Sequence, residues 1–222
     1  MDAIRNLIFD FDGTLADTLP VMGHAFANAF RKYDNRELNF DDFNRMSGPT
    51  EFGIIRLHLK NKELAETAIE EFVADYERHH EALVRKNDEI AALLRDLKQA
   101  GAGLALFTGK ARRTLDISLA KLGLELPFDK IVTGDDVTRS KPAPEGILRI
   151  LDALGWSRED TVYIGDSNDD MRAGHDAGVR TFAAQWMPNV QARQYAPAPE
   201  RVFASIGEFR AYLAGRVPGF PG

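Results

Sequence analysis

Two carboxylates close the first apolar run of the chain: residues 7–16 read LIFDFDGTLA, with Asp10 and Asp12 two positions apart. Asp12-Gly13 is an ordinary turn dipeptide, but a turn gives no reason for Asp10. Like charges this near one another repel, and burying them unpaired is costly. A positive partner is required. A divalent cation held by carboxylates and backbone carbonyls supplies it, with water and a phosphate completing an octahedron. Mg2+ there would shield one carboxylate enough for it to attack a phosphoryl group.

Three later segments carry matching chemistry. FTGK (107–110) offers the Thr108 hydroxyl and an open backbone N–H at Gly109 at the start of a helix, which suits a phosphate. It is not a Walker A loop, because Gly103 comes one residue too early and Ala111 stands where Ser or Thr is needed. SKPAPEG (140–146) places Lys141 before a proline, which disfavours helix at the lysine, while Pro144 suits the first turn of the next helix. GDSNDD (165–170) puts Asp166 after an apolar run and Asp170 four residues on. Helix capping explains one such residue but not five polar residues in succession. Asp166 reads as a metal ligand and Asp170 as a residue that holds a metal-bound water or orients Lys141. Asp169 is expected to point elsewhere, while adjacency leaves open which of Asp169 and Asp170 faces inward.

The elements that must position these residues alternate. Apolar runs at 6–9, 103–108, 130–134, 161–166 and 179–184 read as buried parallel strands. Between them, 90–101, 112–123, 144–155 and 169–178 have helical spacing, and several stop at a Gly. The pattern predicts an α/β fold: a Rossmann-like parallel sheet with helices on both faces. Ligands bind such sheets at the carboxyl ends of the strands, where Asp10, Thr108 and Asp166 all fall.

Residues 17–87 break the alternation and read as an all-helical insertion. One helix is expected near 19–33. A second, over seven turns of 61–87, carries Leu64, Ile69, Phe72, Val73, Tyr76 and Leu83 on one face. MSGPTEFG (46–53) is expected to be a loop reaching back toward the site. At the C-terminus, a Pro-rich loop, a short strand near Val202–Phe203, a last helix and a loose VPGFPG tail are expected.

Bulk properties exclude several classes. With 222 residues, 44% hydrophobic and 28% charged, the chain has the composition of a globular protein with ample core. The net charge of −6 argues against nucleic-acid binding. No run approaches the roughly 18–20 apolar residues of a membrane span, so no membrane partner is expected. The chain opens on a strand-like segment without a leader and contains no cysteine, so a cytoplasmic location is expected.

Together the four segments resemble the haloacid dehalogenase superfamily, in its phosphatase branch, whose pattern is DxDGT, a strand-end Ser or Thr, Lys, then GDxxxD. The resemblance runs from residue 4 to about 184 in order and spacing. It implies a catalytic core of residues 1–16 and 88–222 with a helical cap of residues 17–87. It also implies a two-step phosphohydrolase in which Asp10 attacks phosphorus to give an aspartyl-phosphate and Asp12 serves as acid and then base. Mg2+ would be held by the Asp10 carboxylate, the Asp12 carbonyl and Asp166. Thr108, the Gly109 N–H and Lys141 would bind the non-bridging oxygens.

Within the superfamily the chain resembles phosphoglycolate phosphatases and small-cap inorganic pyrophosphatases. Both share the cap loop that would set specificity, here Gly48, Pro49 and Thr50. YERHHEALV and FTGKARRTLD lean toward the second group. The expected substrate is a small phosphorylated metabolite of the phosphoglycolate kind, or else pyrophosphate. A sugar phosphomutase is the less favoured rival, since its cap entry carries a histidine where Met22 stands. A non-enzymatic binding protein would have lost a catalytic residue, and none is missing. His79 and His80 point about 100° apart on a helix and cannot easily share one ion. They are expected to lie on a solvated face or to contact substrate.

Overall fold

The computed structural model describes residues 3–38, 42, 46, 48–125 and 128–221. Its centre is a six-stranded sheet in the order β3-β2-β1-β4-β5-β6, with every pairing parallel. The strands are β1 (Asn6–Phe9), β2 (Gly103–Phe107), β3 (Lys130–Val132), β4 (Thr161–Gly165), β5 (Arg180–Ala184) and β6 (Arg201–Phe203). β1 lies between β2 and β4, with Phe9 opposite Leu106 and Ile164. The first apolar run therefore becomes a central strand, and its end falls between two other strand ends.

The period of two in β1 divides the core. Leu7 and Phe9 enter the larger apolar cluster with Leu93 and Leu97 of α4 (Asp88–Gln99) and Phe209 and Leu213 of α8 (Ile206–Leu213). Ile8 faces the other way, with Ile147 and Ile150 of α6 (Glu145–Leu154) and Ala173 and Ala177 of α7 (Asn168–Ala177). α5 (Arg112–Leu122) completes the layers through Leu115 and Leu119 on the first face. Gly123, Gly155 and Gly178 end α5, α6 and α7 in the left-handed region that glycine tolerates.

Between β1 and α4 lie α1 (Leu19–Asp34), α2 (Glu51–His58) and α3 (Ala65–Leu83). Phe26, Phe30, Phe72 and Tyr76 form their shared aromatic core, with the Phe26 and Phe72 ring centroids 4.7 Å apart. α3 spans 19 residues, about five turns rather than seven. Residues Lys62–Leu64 form a separate 3-10 turn, and Leu83 stays 37% exposed because the packed face runs through Tyr76 and His80 to Val84 instead.

Two further expectations are corrected. Of the segment 46–53, Thr50 is the N-cap of α2, its hydroxyl accepting from the Gly53 N–H, so Glu51 to Gly53 are helical; Ser47 lies outside the described residues. The tail is not loose. Val217 and Phe220 are buried, the Ile4 N–H donates to the Arg216 carbonyl at 2.9 Å, and Arg210 stacks on the Phe220 ring; Gly222 lies outside the described residues. Among the described residues no helix is long and apolar enough to cross a membrane.

Candidate active site

Past β1 the ladder runs one residue further, the Asp10 N–H donating to the Ile164 carbonyl at 2.8 Å. The chain then folds over itself as the Leu15 and Ala16 N–H groups donate to the Phe11 carbonyl at 2.9 and 3.1 Å. Gly13 makes the turn with φ +79°, and a Cβ there would lie 2.2 Å from Asp166 Oδ2. Only glycine lets the Asp10–Asp12 loop approach the end of β4 this closely.

Asp10, Asp166 and Asp170 each place a carboxylate oxygen within 4.8 Å of the others, and all three are buried. One lysine answers them: Lys141 Nζ is 2.8 Å from Asp10 Oδ1 and 2.7 Å from Asp170 Oδ1. Asp170 is further held by Ser167, whose hydroxyl and N–H reach Oδ2 at 2.6 and 3.0 Å, and by the Tyr163 hydroxyl, 2.8 Å from Oδ1. That capping box at the start of α7 fixes Asp170, which in turn orients Lys141. Asp169, expected to point elsewhere, lines the cavity instead.

The charges do not balance. Burial, together with Asp170 and Asp12, pushes the Asp10 carboxyl well above the usual carboxylate range despite Lys141. Burial, with Asp170 and Asp10 as acidic neighbours, raises Asp166 likewise. Asp170 moves the opposite way, because burial is outweighed by Lys141 and by its hydrogen bonds. Lys141 itself is raised: burial opposes its charge, but Asp10 and Asp170 outweigh that. Asp10 Oδ1, although beside Lys141, takes no well-angled hydrogen bond among the described residues. A cluster of hard oxygen ligands with surplus negative charge and an orphaned oxygen fits a Mg2+-like cation.

The Asp12 carboxylate faces a different partner set. Its Oδ1 accepts from the Thr18 hydroxyl and lies 3.1 Å from Lys110 Nζ. Lys110 is fully buried, 3.2 Å from Glu51 Oε1 and 4.6 Å from the centre of the Tyr76 ring. Its charge is strongly retained, since the pull of Asp12, Tyr76 and Glu51 exceeds the burial that opposes it. Glu51, the first residue of α2, accepts from the Ala111 N–H at 2.6 Å and the Thr114 hydroxyl at 2.8 Å. The helical segment is thereby tied to the start of α5.

Thr108 directly follows β2, its N–H on the Val132 carbonyl at 3.1 Å, and its hydroxyl oxygen accepts from the Lys110 N–H at 3.2 Å. Among the described residues nothing takes its hydroxyl proton. The 48–50 turn sits above: the Ser140 hydroxyl donates to the Pro49 carbonyl at 3.1 Å. Gly134 passes so close that a Cβ would fall 2.5 Å from the Gly109 carbonyl and 2.7 Å from that of Pro49. Asp10, Asp12, Thr108, Gly109, Lys141 and the turn Gly48-Pro49-Thr50 line one cavity of about 340 Å3. Asp166 and Asp170 are buried beside Asp10 rather than lining it.

Sequence reasoning missed Lys110, Glu51 and Gln191. Gln191 donates to Asp166 from its N–H (2.7 Å) and its side-chain amide (3.2 Å). Nothing in its irregular surroundings marks it. Lys110 did carry a signal, since it directly follows Thr108-Gly109. His80 is also corrected: it is neither on a solvated face nor in the cavity. It is buried, its Nε2 3.0 Å from Ser118 Oγ, and burial together with Lys110 lowers its pKa to about 4.

A parallel sheet with catalytic-type carboxylates at its central strand end, a buried lysine across from them and a helical segment overhead defines a phosphoryl-handling α/β enzyme. The haloacid dehalogenase-like hydrolase family matches residues 7–184, and the chain belongs to it, as an enzyme of its phosphatase branch. It is 30% identical over 215 residues to the pyrophosphatase PpaX of Bacillus cereus (strain AH820), spanning 95% of this chain and 97% of that protein. Identity to PpaX of Bacillus mycoides is 28% over the same shares. Among solved structures, a predicted phosphoglycolate phosphatase from Haemophilus somnus 129PT superposes with a TM-score of 0.82 at 18% identity, covering 94% of this chain and 97% of that one. CbbY from Rhodobacter sphaeroides, in complex with phosphate, does so with a TM-score of 0.79 at 22% identity, covering 93% and 96%. These two share the fold.

Proposed function

We propose that the protein is a Mg2+-dependent phosphohydrolase of the phosphoglycolate phosphatase kind, acting on a small phosphorylated metabolite through an aspartyl-phosphate on Asp10. The observation that carries this reading is the Asp10 carboxylate held at a central strand end, 2.8 Å from Lys141 and facing the cavity. Residues 17–87 act as a cap over a core of residues 1–16 and 88–222, with the Pro49–Ser140 contact as one seam.

In this reading the Asp10 oxygen bonds to phosphorus as the leaving-group oxygen departs, and Asp12 delivers a proton to that oxygen. Asp12 then takes a proton from the water that cleaves the acyl phosphate. Lys141, the Thr108 hydroxyl and the Gly109 N–H hold the non-bridging oxygens, where charge spreads in the transition state. Asp10 and Asp166, with the Asp12 carbonyl, would hold Mg2+, which supplies neutralising charge to the transferring phosphoryl group. Asp170 positions Lys141, and Lys110 with Thr18 positions the Asp12 carboxyl. Gly48, Pro49 and Thr50 bear on substrate choice through their place on the cavity wall.

Pyrophosphate is the second reading, favoured by the names of the curated relatives. Against it stands the cavity wall. Among the described lining residues the cations are Lys110 and Lys141, and Lys110 is already paired with Asp12 and Glu51. The cavity wall also includes Leu19, Met22, Met46 and Ile54, a lining that a single carboxylate charge meets at lower desolvation cost than the more highly charged second phosphoryl group of pyrophosphate. Phosphate release with Mg2+ from 2-phosphoglycolate, pyrophosphate and a sugar-phosphate panel decides between them. A kcat/KM favouring 2-phosphoglycolate at least about tenfold supports the first reading, the reverse ratio supports the second, and turnover of none of them removes both.

A further inference from the structure

A second group of ligating side chains lies between α1 and α3. His24 stands on α1, while Asp75 and His79 stand four residues apart on α3, the spacing that stacks two side chains on one helix face. One ligating atom from each of the three falls within 4.8 Å of the other two. His24 Nε2 is 3.4 Å from Asp75 Oδ2, His79 Nδ1 is 3.2 Å from Asp75 Oδ1, and the imidazole centroids are 4.4 Å apart. Two ligands on one tetrahedral Zn2+, each at its usual ~2.0–2.1 Å, stand about 3.3 Å apart. The observed spacing needs little adjustment.

The orientation of the lone pairs matters as much as the distances. Asn28 Nδ2 lies 2.7 Å from Asp75 Oδ2 and 2.9 Å from His24 Nε2. An imidazole lone pair and a carboxylate lone pair thus converge on a single donor, as two ligands converge on a cation. His79 Nδ1 is 3.0 Å from the Asp75 backbone carbonyl. A metal bound at Nδ1 takes the place of that contact, and Nε2 then carries the ring's proton. Asp75 is buried, whereas the His24 and His79 side chains are 38% and 35% exposed. The anionic ligand forms the floor and the imidazoles the rim. Arg78, 3.2 Å from Asp75 Oδ1, is itself 60% exposed and free to swing outward.

We infer that His24, Asp75 and His79 form a metal site separate from the acidic cluster beside Asp10, selective for a borderline dication of the Zn2+ type. Imidazole ligands favour Zn2+, Co2+ or Ni2+, whereas an all-carboxylate cluster suits Mg2+. An ion in this site joins α1 to α3 and so stiffens the helical segment from its outer side. The inference does not depend on the phosphatase reading.

The test uses the full chain, stripped of metal and then titrated with Co2+ in excess Mg2+, so that the carboxylate cluster is occupied. Wild type is compared with His24→Gln and His79→Gln, both partly exposed positions. The expected result is one Co2+ per chain with the intense visible bands of a low-coordinate nitrogen-containing site. Each variant weakens binding at least about tenfold and loses the Co2+-dependent rise in Tm. Wild-type protein that gives no such band, or variants that bind Co2+ as wild type does, would overturn the inference.

Discussion

Two buried lysines answer the two carboxylates of the first loop, and they do so in different ways. Lys110 pairs Asp12 with Glu51, in a nest closed by donors from Thr18, Thr114 and Ala111. Lys141 pairs Asp10 with Asp170, but Asp166 adds a third carboxylate and, among the described residues, an Asp10 oxygen is left without a good hydrogen bond. Charge and hydrogen bonds nearly close around Lys110, whereas around Lys141 they leave room for a cation and a phosphate. The difference teaches that burial of charge is not itself a mark of metal or phosphate binding. What marks the Lys141 side is the unmet demand.

Substitutions sharpen this contrast. Lys110→Met leaves Asp12 and Glu51 buried without a cation and should cost about 3–5 kcal/mol of stability. In a chain of this length that lowers Tm by roughly 10 °C, read by thermal denaturation. A Tm change under about 2 °C would show that the closed nest contributes little. Lys141→Ala should act chiefly on turnover, lowering kcat by roughly 10²–10³-fold, measured under saturating substrate and Mg2+.

Smaller effects probe the acidic cluster and the helical segment. In chelator, Asp166→Asn should raise Tm, because burial and its acidic neighbours already disfavour the ionised side chain. Mg2+ at a hundredfold excess over its Kd should stabilise wild type by about 2.7 kcal/mol, and the same substitution should abolish that response. His80 supplies a pH-dependent effect of similar or smaller size. Its folded pKa of about 4 lies below the ordinary value of 6.5, so the unfolded chain binds the extra proton between those values. Stability is then complete above pH 6.5 and falls as pH drops toward 4, by about 1–3 kcal/mol. His80→Phe should flatten that acid limb in denaturant titrations at stepped pH.

What the sequence made legible follows from how local each signal is. The five apolar runs became β1 to β5 within a residue or two of their expected bounds, because a buried parallel strand needs no partner pattern beyond its own oiliness. Asp10, Thr108 and Asp166 were readable as strand-end residues for the same reason. The Lys110–Glu51 pairing was not, since its members are brought together only when α2 folds across the start of α5. Leu83 and the C-terminal Val217 and Phe220 failed alike: helical periodicity cannot say where a neighbour stops, nor can a Pro-Gly composition say that a tail is covered. His79 and His80, adjacent in sequence, diverge to opposite fates because neighbouring helix positions point apart.

The most direct test of the central claim is the turnover of Asp10→Asn with Mg2+ and the best substrate, alongside its circular dichroism and Tm. An amide is a poor nucleophile but fills the same space, so the account predicts a folded protein whose kcat is lower by about 10⁴-fold or more. A folded variant that keeps activity within about tenfold of wild type would contradict it.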